Sequence, residues 1–105
     1  MRIQLHPAAS AELTAEQDFY NERAPGLGVD LEEEINDALG LIASMPDAWE
    51  QWPGLPDVRV FSLDRFPFLL PYWHDDTRIV LLAIAHAKRH PGYWRSRVED
   101  VSRVH

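Results

Sequence analysis

Twelve consecutive residues, His86 to Arg97 (HAKRHPGYWRSR), hold four Lys/Arg, two His, a Tyr and a Trp. The chain around them is acidic, with 17 Asp/Glu against 10 Lys/Arg and a formal net charge of −7. Side chains of these types can act on a phosphodiester. Cutting RNA without a metal needs a base for the 2′-hydroxyl, cations for the charge developing on phosphorus, and an acid for the leaving oxygen. His86, Lys88, Arg89, His90 and Tyr93 are suitable types, and Arg59, Arg65 and Arg78 could join them from neighbouring strands. Each Arg taken singly reads first as a surface charge, whose exposed ion pair contributes about 0–1 kcal/mol. The competing reading of the whole stretch is a polar tail whose Tyr and Trp fold back onto the core.

Other chemistries find little purchase. Gly26-Leu27-Gly28 lacks both the third glycine and the preceding strand of a phosphate-cradling loop. No serine sits in a nucleophile elbow. His86 and His90 have i,i+4 spacing, but Pro91 disfavours a regular helix there and no nearby Glu completes a zinc site. No metal and no other cofactor is expected.

Composition narrows the field further. A chain of 105 residues makes one domain, expected to span 1–105. It has no cysteine, hence no disulfide framework and no thiolate metal site. No run near Met1 resembles a signal peptide, and none reaches the roughly 18 apolar residues of a membrane span. A cytoplasmic domain with no membrane association is expected. The acidic total argues against a general nucleic-acid binder. Its distribution is uneven: residues 1–52 carry eleven Asp/Glu against two Lys/Arg, whereas residues 53–105 carry six against eight. Salt screens charge over ~8 Å at physiological strength, so a positive patch can persist on one side of an acidic molecule.

The elements that must position these groups follow from periodicity. Arg2 to His6 alternates as a short strand. Pro7 suits a helix start, and a helix to about Arg23 carries Ala9, Leu13, Tyr20 and Ala24 on one face. Ala24-Pro25-Gly26-Leu27-Gly28 breaks it. From Val29 to Met45, Leu31, Ile35, Ala38, Leu39, Ile42 and Met45 recur at helical spacing, and Pro46 stops that helix. The Glu32-Glu33-Glu34 run reads as a solvated face near the positive helix end. The loop Pro46 to Asp57 holds Trp49 and Trp52, expected to lid the core. Three strands follow: Val58–Leu63, Pro67–His74 and Arg78–His86, the last two joined by a turn at Asp75-Asp76-Thr77. Ile79 to Ala85 is apolar on both faces and reads as the central strand. Pro71 cannot donate to a ladder, so its nitrogen must face a gap, an edge or a bulge. The fold class is α+β, with two helices packed on one face of a mainly antiparallel sheet and a short C-terminal segment.

With the elements in place, the chain resembles the RelE/ParE superfamily of type II toxins, in its ParE-like, plasmid-stabilisation branch. The marks are Ala11-Glu12-Leu13 and Phe19-Tyr20, the Gly28 break, the helix stopped by Pro46, and Arg59. Phe66-Pro67-Phe68 leading to Tyr72 follows, then Ala83-Ile84-Ala85-His86, Arg89, Pro91, Tyr93-Trp94 and Arg97. The resemblance implies a β-α-α-β-β-β core and a toxin neutralised by a cognate ParD-like antitoxin in a hetero-oligomer. ParE-like members poison DNA gyrase, whereas RelE-like members cut mRNA at the ribosome. Leu69 stands where nuclease members often carry an Arg, and nuclease members are usually basic. Both departures favour the gyrase-directed reading over the endonuclease. A degenerate module that only binds its antitoxin is a third reading. If the protein is an RNase, the catalytic candidates are His86, Arg59, Arg89 and Tyr93. The candidates for binding target or antitoxin are Arg59, Arg65, Arg78, Arg89, Trp94, Arg95 and Arg97. Arg59 and Arg97 are expected to be exposed.

Overall fold

The computed structural model describes residues 2–102. Strand β1 (Arg2–Leu5) leads into helix α1 (Pro7–Arg23) and helix α2 (Leu27–Ser44). Then come β2 (Glu50–Trp52), β3 (Leu55–Ser62), β4 (Phe68–His74), β5 (Arg78–Leu81), β6 (Ala85–His86) and a short helix α3 (Arg97–Ser102). The sheet order is β1-β5-β4-β3-β2, with β6 also paired to β4. Only β1 and β5 run parallel; the other pairs are antiparallel. The α+β class and the helices on the sheet are as the periodicity implied.

Local chemistry fixes the helical hairpin. The backbone N–H of Ala8 donates to His6 Nδ1 at 3.0 Å, with Pro7 at the position where a missing N–H costs nothing. That bond leaves the proton of the neutral ring on Nε2, which donates to Asp100 at 2.8 Å and ties α3 to the start of α1. At the α1–α2 crossing a Cβ on Gly28 would stand 2.5 Å from the Gln17 carbonyl oxygen, so only glycine allows this approach. The Gly28 N–H donates across the same crossing to Asn21 Oδ1 at 2.8 Å. Leu31, Ile35, Ala38 and Ile42 form the buried stripe of α2.

The sheet has two cores. On the helix side lie the α2 stripe, Phe66, Phe68, Leu70, Tyr72, Ile79 and Leu81. On the other side Val58, Trp73, Val80 and Leu82 are covered by Trp94 and Val101 of the C-terminal segment. Trp94 is 2 % exposed. The folded-back reading of the tail is therefore correct for its tryptophan. Gly92, at φ 79, makes the turn that lets the chain reverse there.

Two expectations need correction. The stretch after Pro46 is not all loop: Glu50–Trp52 pairs with β3, and its two tryptophans lie on opposite faces. Trp49 meets Phe61 on the helix side at 4.7 Å, and Trp52 meets Trp94 on the other at 4.9 Å. The run Ile79 to Ala85 is not one central strand. β5 ends at Leu81 and the chain rejoins the sheet at Ala85, and the middle of the strand order falls to β4, which pairs with β3 on one edge and with β5 and β6 on the other.

Candidate functional site

The break between β5 and β6 is where the chemistry-bearing residues gather. Tyr72 pairs with Leu81 and Leu69 with Ala85, so Leu70 and Pro71 on β4 face Leu82, Ala83 and Ile84. Three residues opposite two is a β-bulge. The Pro71 carbonyl accepts from Leu82 N–H at 2.8 Å, so its nitrogen, which points the same way, faces the bulge. The proline thus sits where no donor is needed, as its chemistry demanded.

A bulge leaves backbone groups without ladder partners, and burying them unpaired costs about 1–3 kcal/mol each. Two side chains meet that need. Ile84 N–H donates to Glu12 Oε1 at 3.1 Å, and the Leu82 carbonyl accepts from Arg97 at 2.9 Å. Arg97 and Glu12 are themselves joined by two parallel hydrogen bonds of 2.9 and 3.0 Å. The Tyr93 hydroxyl donates to Glu12 Oε2 at 2.7 Å, and the Arg89 guanidinium lies over the Tyr93 ring at 3.7 Å. Glu12 comes from α1 and Arg97 from the segment on the opposite face, so this cluster couples both layers to the sheet.

Electrostatics follow from that geometry. Burial alone would raise the Glu12 pKa, but hydrogen bonds from Arg97, Tyr93 and Ile84 N–H outweigh it and hold the carboxyl below its ordinary range. Burial, then the bond to the Glu12 carboxylate, push the Tyr93 phenol up to about 12. The bond to Glu12 raises Arg97 above its already high value. Tyr93 is a hydrogen-bond donor here, and a poor proton donor to anything else near neutral pH.

The other candidates are dispersed. Arg59 is not exposed as expected. Its side chain, 20 % accessible, donates to the Trp49 carbonyl at 2.7 Å and lies 3.7 Å from Asp47 on the helix side. Arg97, at 17 %, is likewise largely covered. Arg65 is exposed in the β3–β4 turn, 3.6 Å from Asp30, and its N–H, like that of Asp64, donates to Glu34. Arg78 donates to the Val101 carbonyl at 2.8 Å and covers the Trp73 ring, which fastens α3. Trp94 is core. Arg89 and Arg95 are exposed, and among the described residues Arg95 and Lys88 have no ion-pair partner.

His86, Arg89 and Tyr93 border one crevice, and Arg89 stacks on Tyr93, but Arg59 stands apart from them. Arg59 pairs with Tyr72 and His86 with Phe68, four residues apart on β4, roughly 13 Å along the strand. His86 Nδ1 accepts from Lys88 N–H at 3.1 Å, which orders the loop rather than freeing a base. Among the described residues no three His, Asp or Glu side chains converge as metal ligands would.

Beside this cluster, a trough on the sheet face that the C-terminal segment leaves bare is open to a visitor. A crevice of about 40 Å³ beside Tyr93 and Trp94 shares Trp52 and Leu69 with a groove of about 230 Å³ over Glu50, Val60 and Ser62. Leu69 thus lies at the centre of the trough. Sequence reasoning missed Glu12 as the hub of the cluster. Its one signal was position: it follows buried Ala9 by one turn and precedes Leu13, at the border of the apolar face.

Comparison with known proteins agrees with this architecture. A family model, "ParE toxin of type II toxin-antitoxin system, parDE", matches residues 3–91. The fold is similar to a solved structure, "Chromosomal ParDE TA system from P. aeruginosa", with a TM-score of 0.73. That likeness covers 84 % of this chain and 97 % of the other at 22 % identity, and concerns the fold alone. No curated protein matches the sequence. Tyr93, Trp94 and Arg97 lie beyond the stretch that the family model matches.

Proposed function

The chain belongs to the ParE toxin family of type II toxin–antitoxin systems, and on that footing we propose that it inhibits DNA gyrase in the cytoplasm until a cognate ParD-like antitoxin neutralises it in a hetero-oligomer. The observation that carries the choice of target is the separation of Arg59 from His86, Arg89 and Tyr93, which border one crevice without it. An RNase must hold base, acid and cations around a single phosphate. Here the tyrosine is committed to Glu12 and the central floor residue is Leu69. The net charge of −7 points the same way, since a protein target does not demand a phosphate-neutralising surface. No described helix is long and apolar enough to cross a membrane.

Support for a protein partner comes from the helices. Phe19, Val29, Leu41 and Met45 are large apolar side chains between 44 % and 54 % exposed on α1, α2 and its C-cap. Leu41 also lines a groove of about 300 Å³ with Ala38 and Phe61. Exposed apolar surface of this kind suits an antitoxin's amphipathic helix. The test is a supercoiling assay with purified gyrase, run beside transcript mapping after induction in cells. Inhibited supercoiling without new transcript ends is the expected result. Codon-linked cleavage with unaffected gyrase would transfer the assignment to the mRNA endonuclease.

A further inference from the structure

The trough on the bare sheet face is polarised. Its floor is apolar, formed by Trp52, Val60 and Leu69. Along the C-terminal side stands Arg89, which lines it, and the exposed Lys88 precedes it in the same loop. Arg95 reaches the turn at the end of β2, its guanidinium 3.9 Å from where a Cβ on Gly54 would stand. Glu50 is the only carboxylate among the lining residues, and it lies on the far side, on β2.

The state of these cations decides what they can do. Glu12 is the nearest carboxylate to Arg89, at 3.7 Å, but it already holds two bonds from Arg97 and one from Tyr93. Arg89 is 56 % exposed and Lys88 and Arg95 have no ion pair among the described residues. Lys88 and Arg95 are therefore uncompensated beside the trough, and Arg89 on its wall shares its carboxylate with Arg97, in a chain whose total is −7. At about 230 Å³ the groove is smaller than the roughly 300 Å³ at which small-molecule pockets begin, and it is open. Such a place suits one or two side chains of a larger partner.

We propose that this trough docks a short acidic segment of a partner protein, with one apolar side chain on Trp52, Val60 and Leu69 and its carboxylates against Lys88, Arg89 and Arg95. Charge complementarity selects the segment and the apolar floor holds it. A nucleic acid fits less well, because its phosphates would meet cations along one rim only and Leu69 and Val60 in the middle. The surface lies on the opposite side of the sheet from the exposed apolar residues of α2, so both can be occupied at once. The identity of the partner as the toxin's target rests on the proposed function; the chemistry of the trough does not.

The experiment is isothermal titration of the purified protein with an acetylated, amidated pentapeptide, Asp-Glu-Leu-Asp-Glu. Three controls accompany it: the same peptide with Lys at every acidic position, an eight-nucleotide single-stranded RNA, and the K88E/R89E variant. Both substituted residues are exposed, and an unchanged melting temperature verifies that the variant folds. Saturable binding of the acidic peptide with Kd below about 1 mM, weakened at least about tenfold by the variant and by the Lys peptide, is expected. Equal binding of both peptides, no saturable binding, or tighter binding of the RNA overturns the proposal. So does a dimer in sedimentation that K88E/R89E abolishes, since the trough would then be its own interface. Gyrase supercoiling is read separately, so either result can fail alone.

Discussion

Glu12 and Arg97 lie 85 residues apart in the chain and meet through two hydrogen bonds of 2.9 and 3.0 Å at the bulge between β5 and β6. Each also serves the bulge backbone, Glu12 at Ile84 N–H and Arg97 at the Leu82 carbonyl. Removing one partner therefore strands a largely covered charge and a backbone group together. Breaking a buried pair costs on the order of 3–5 kcal/mol, and both side chains here are less than one-fifth exposed. We expect Arg97→Ala and Glu12→Gln each to lower stability by about 3 kcal/mol in urea unfolding. The double variant should cost clearly less than the sum, because the two residues act as a unit. Additive losses would contradict the coupling. This replaces the sequence-based expectation that Arg97 is an exposed charge.

The same cluster sets a pH dependence. Glu12 has a folded pKa below its ordinary 4.5, so its contribution is present above that value and is lost as pH falls through the folded pKa. Tyr93 has the opposite sign. Its folded pKa is raised from 10.0 to about 12, so its contribution is full below pH 10 and is lost as pH rises through about 12. Stability measured against pH should fall at both extremes. Glu12→Gln should flatten the acid limb and Tyr93→Phe the alkaline one. An unaltered acid limb in Glu12→Gln would mean that the carboxylate is not held as described.

Leu82 is fully buried on the C-terminal side of the sheet, and Trp94 covers that side. Leu82→Ala should cost ~2–5 kcal/mol and Trp94→Ala ~3–5 kcal/mol, through lost burial and the cavity left behind. Chemical denaturation of each variant checks this. A near-neutral Trp94→Ala would show that the segment is not docked on the sheet.

Much of this fold was legible in the sequence. The α2 stripe, Pro7, Pro46 and the Asp75 turn each carry their own local physics, and each reads correctly without tertiary knowledge. Pro71 was informative because a missing donor constrains its neighbours wherever it lies. The bulge itself was hidden, because Ile79 to Ala85 is uniformly apolar and one inserted residue leaves no mark on such a run. The edge strand Glu50–Trp52 was masked by the prolines and glycine around it. For the site, residue types pointed to the right segment but not to its roles. Arg59 and Arg97 look like surface charges in sequence, and only the fold reveals the carbonyls and carboxylates that claim them.

Gly28 tests the helix crossing on which the helix-side core depends. An added methyl would meet the Gln17 carbonyl oxygen and the Asn21 side chain, at 2.5 and 2.7 Å. Gly28→Ala gains helix propensity of about 1 kcal/mol, yet overpacking typically costs 1–3 kcal/mol, and here one obstacle is backbone. We expect a lower melting temperature. An increase would mean that α1 and α2 separate without penalty.

The central claim is that this ParE-family chain is an active toxin kept silent by a protein partner. The most direct measurement is growth after controlled induction of the chain alone, compared with co-expression of a ParD-like antitoxin. Arrest by the chain alone, relieved by the antitoxin, is the predicted result. Unimpaired growth with the folded protein accumulating in the cell would contradict it.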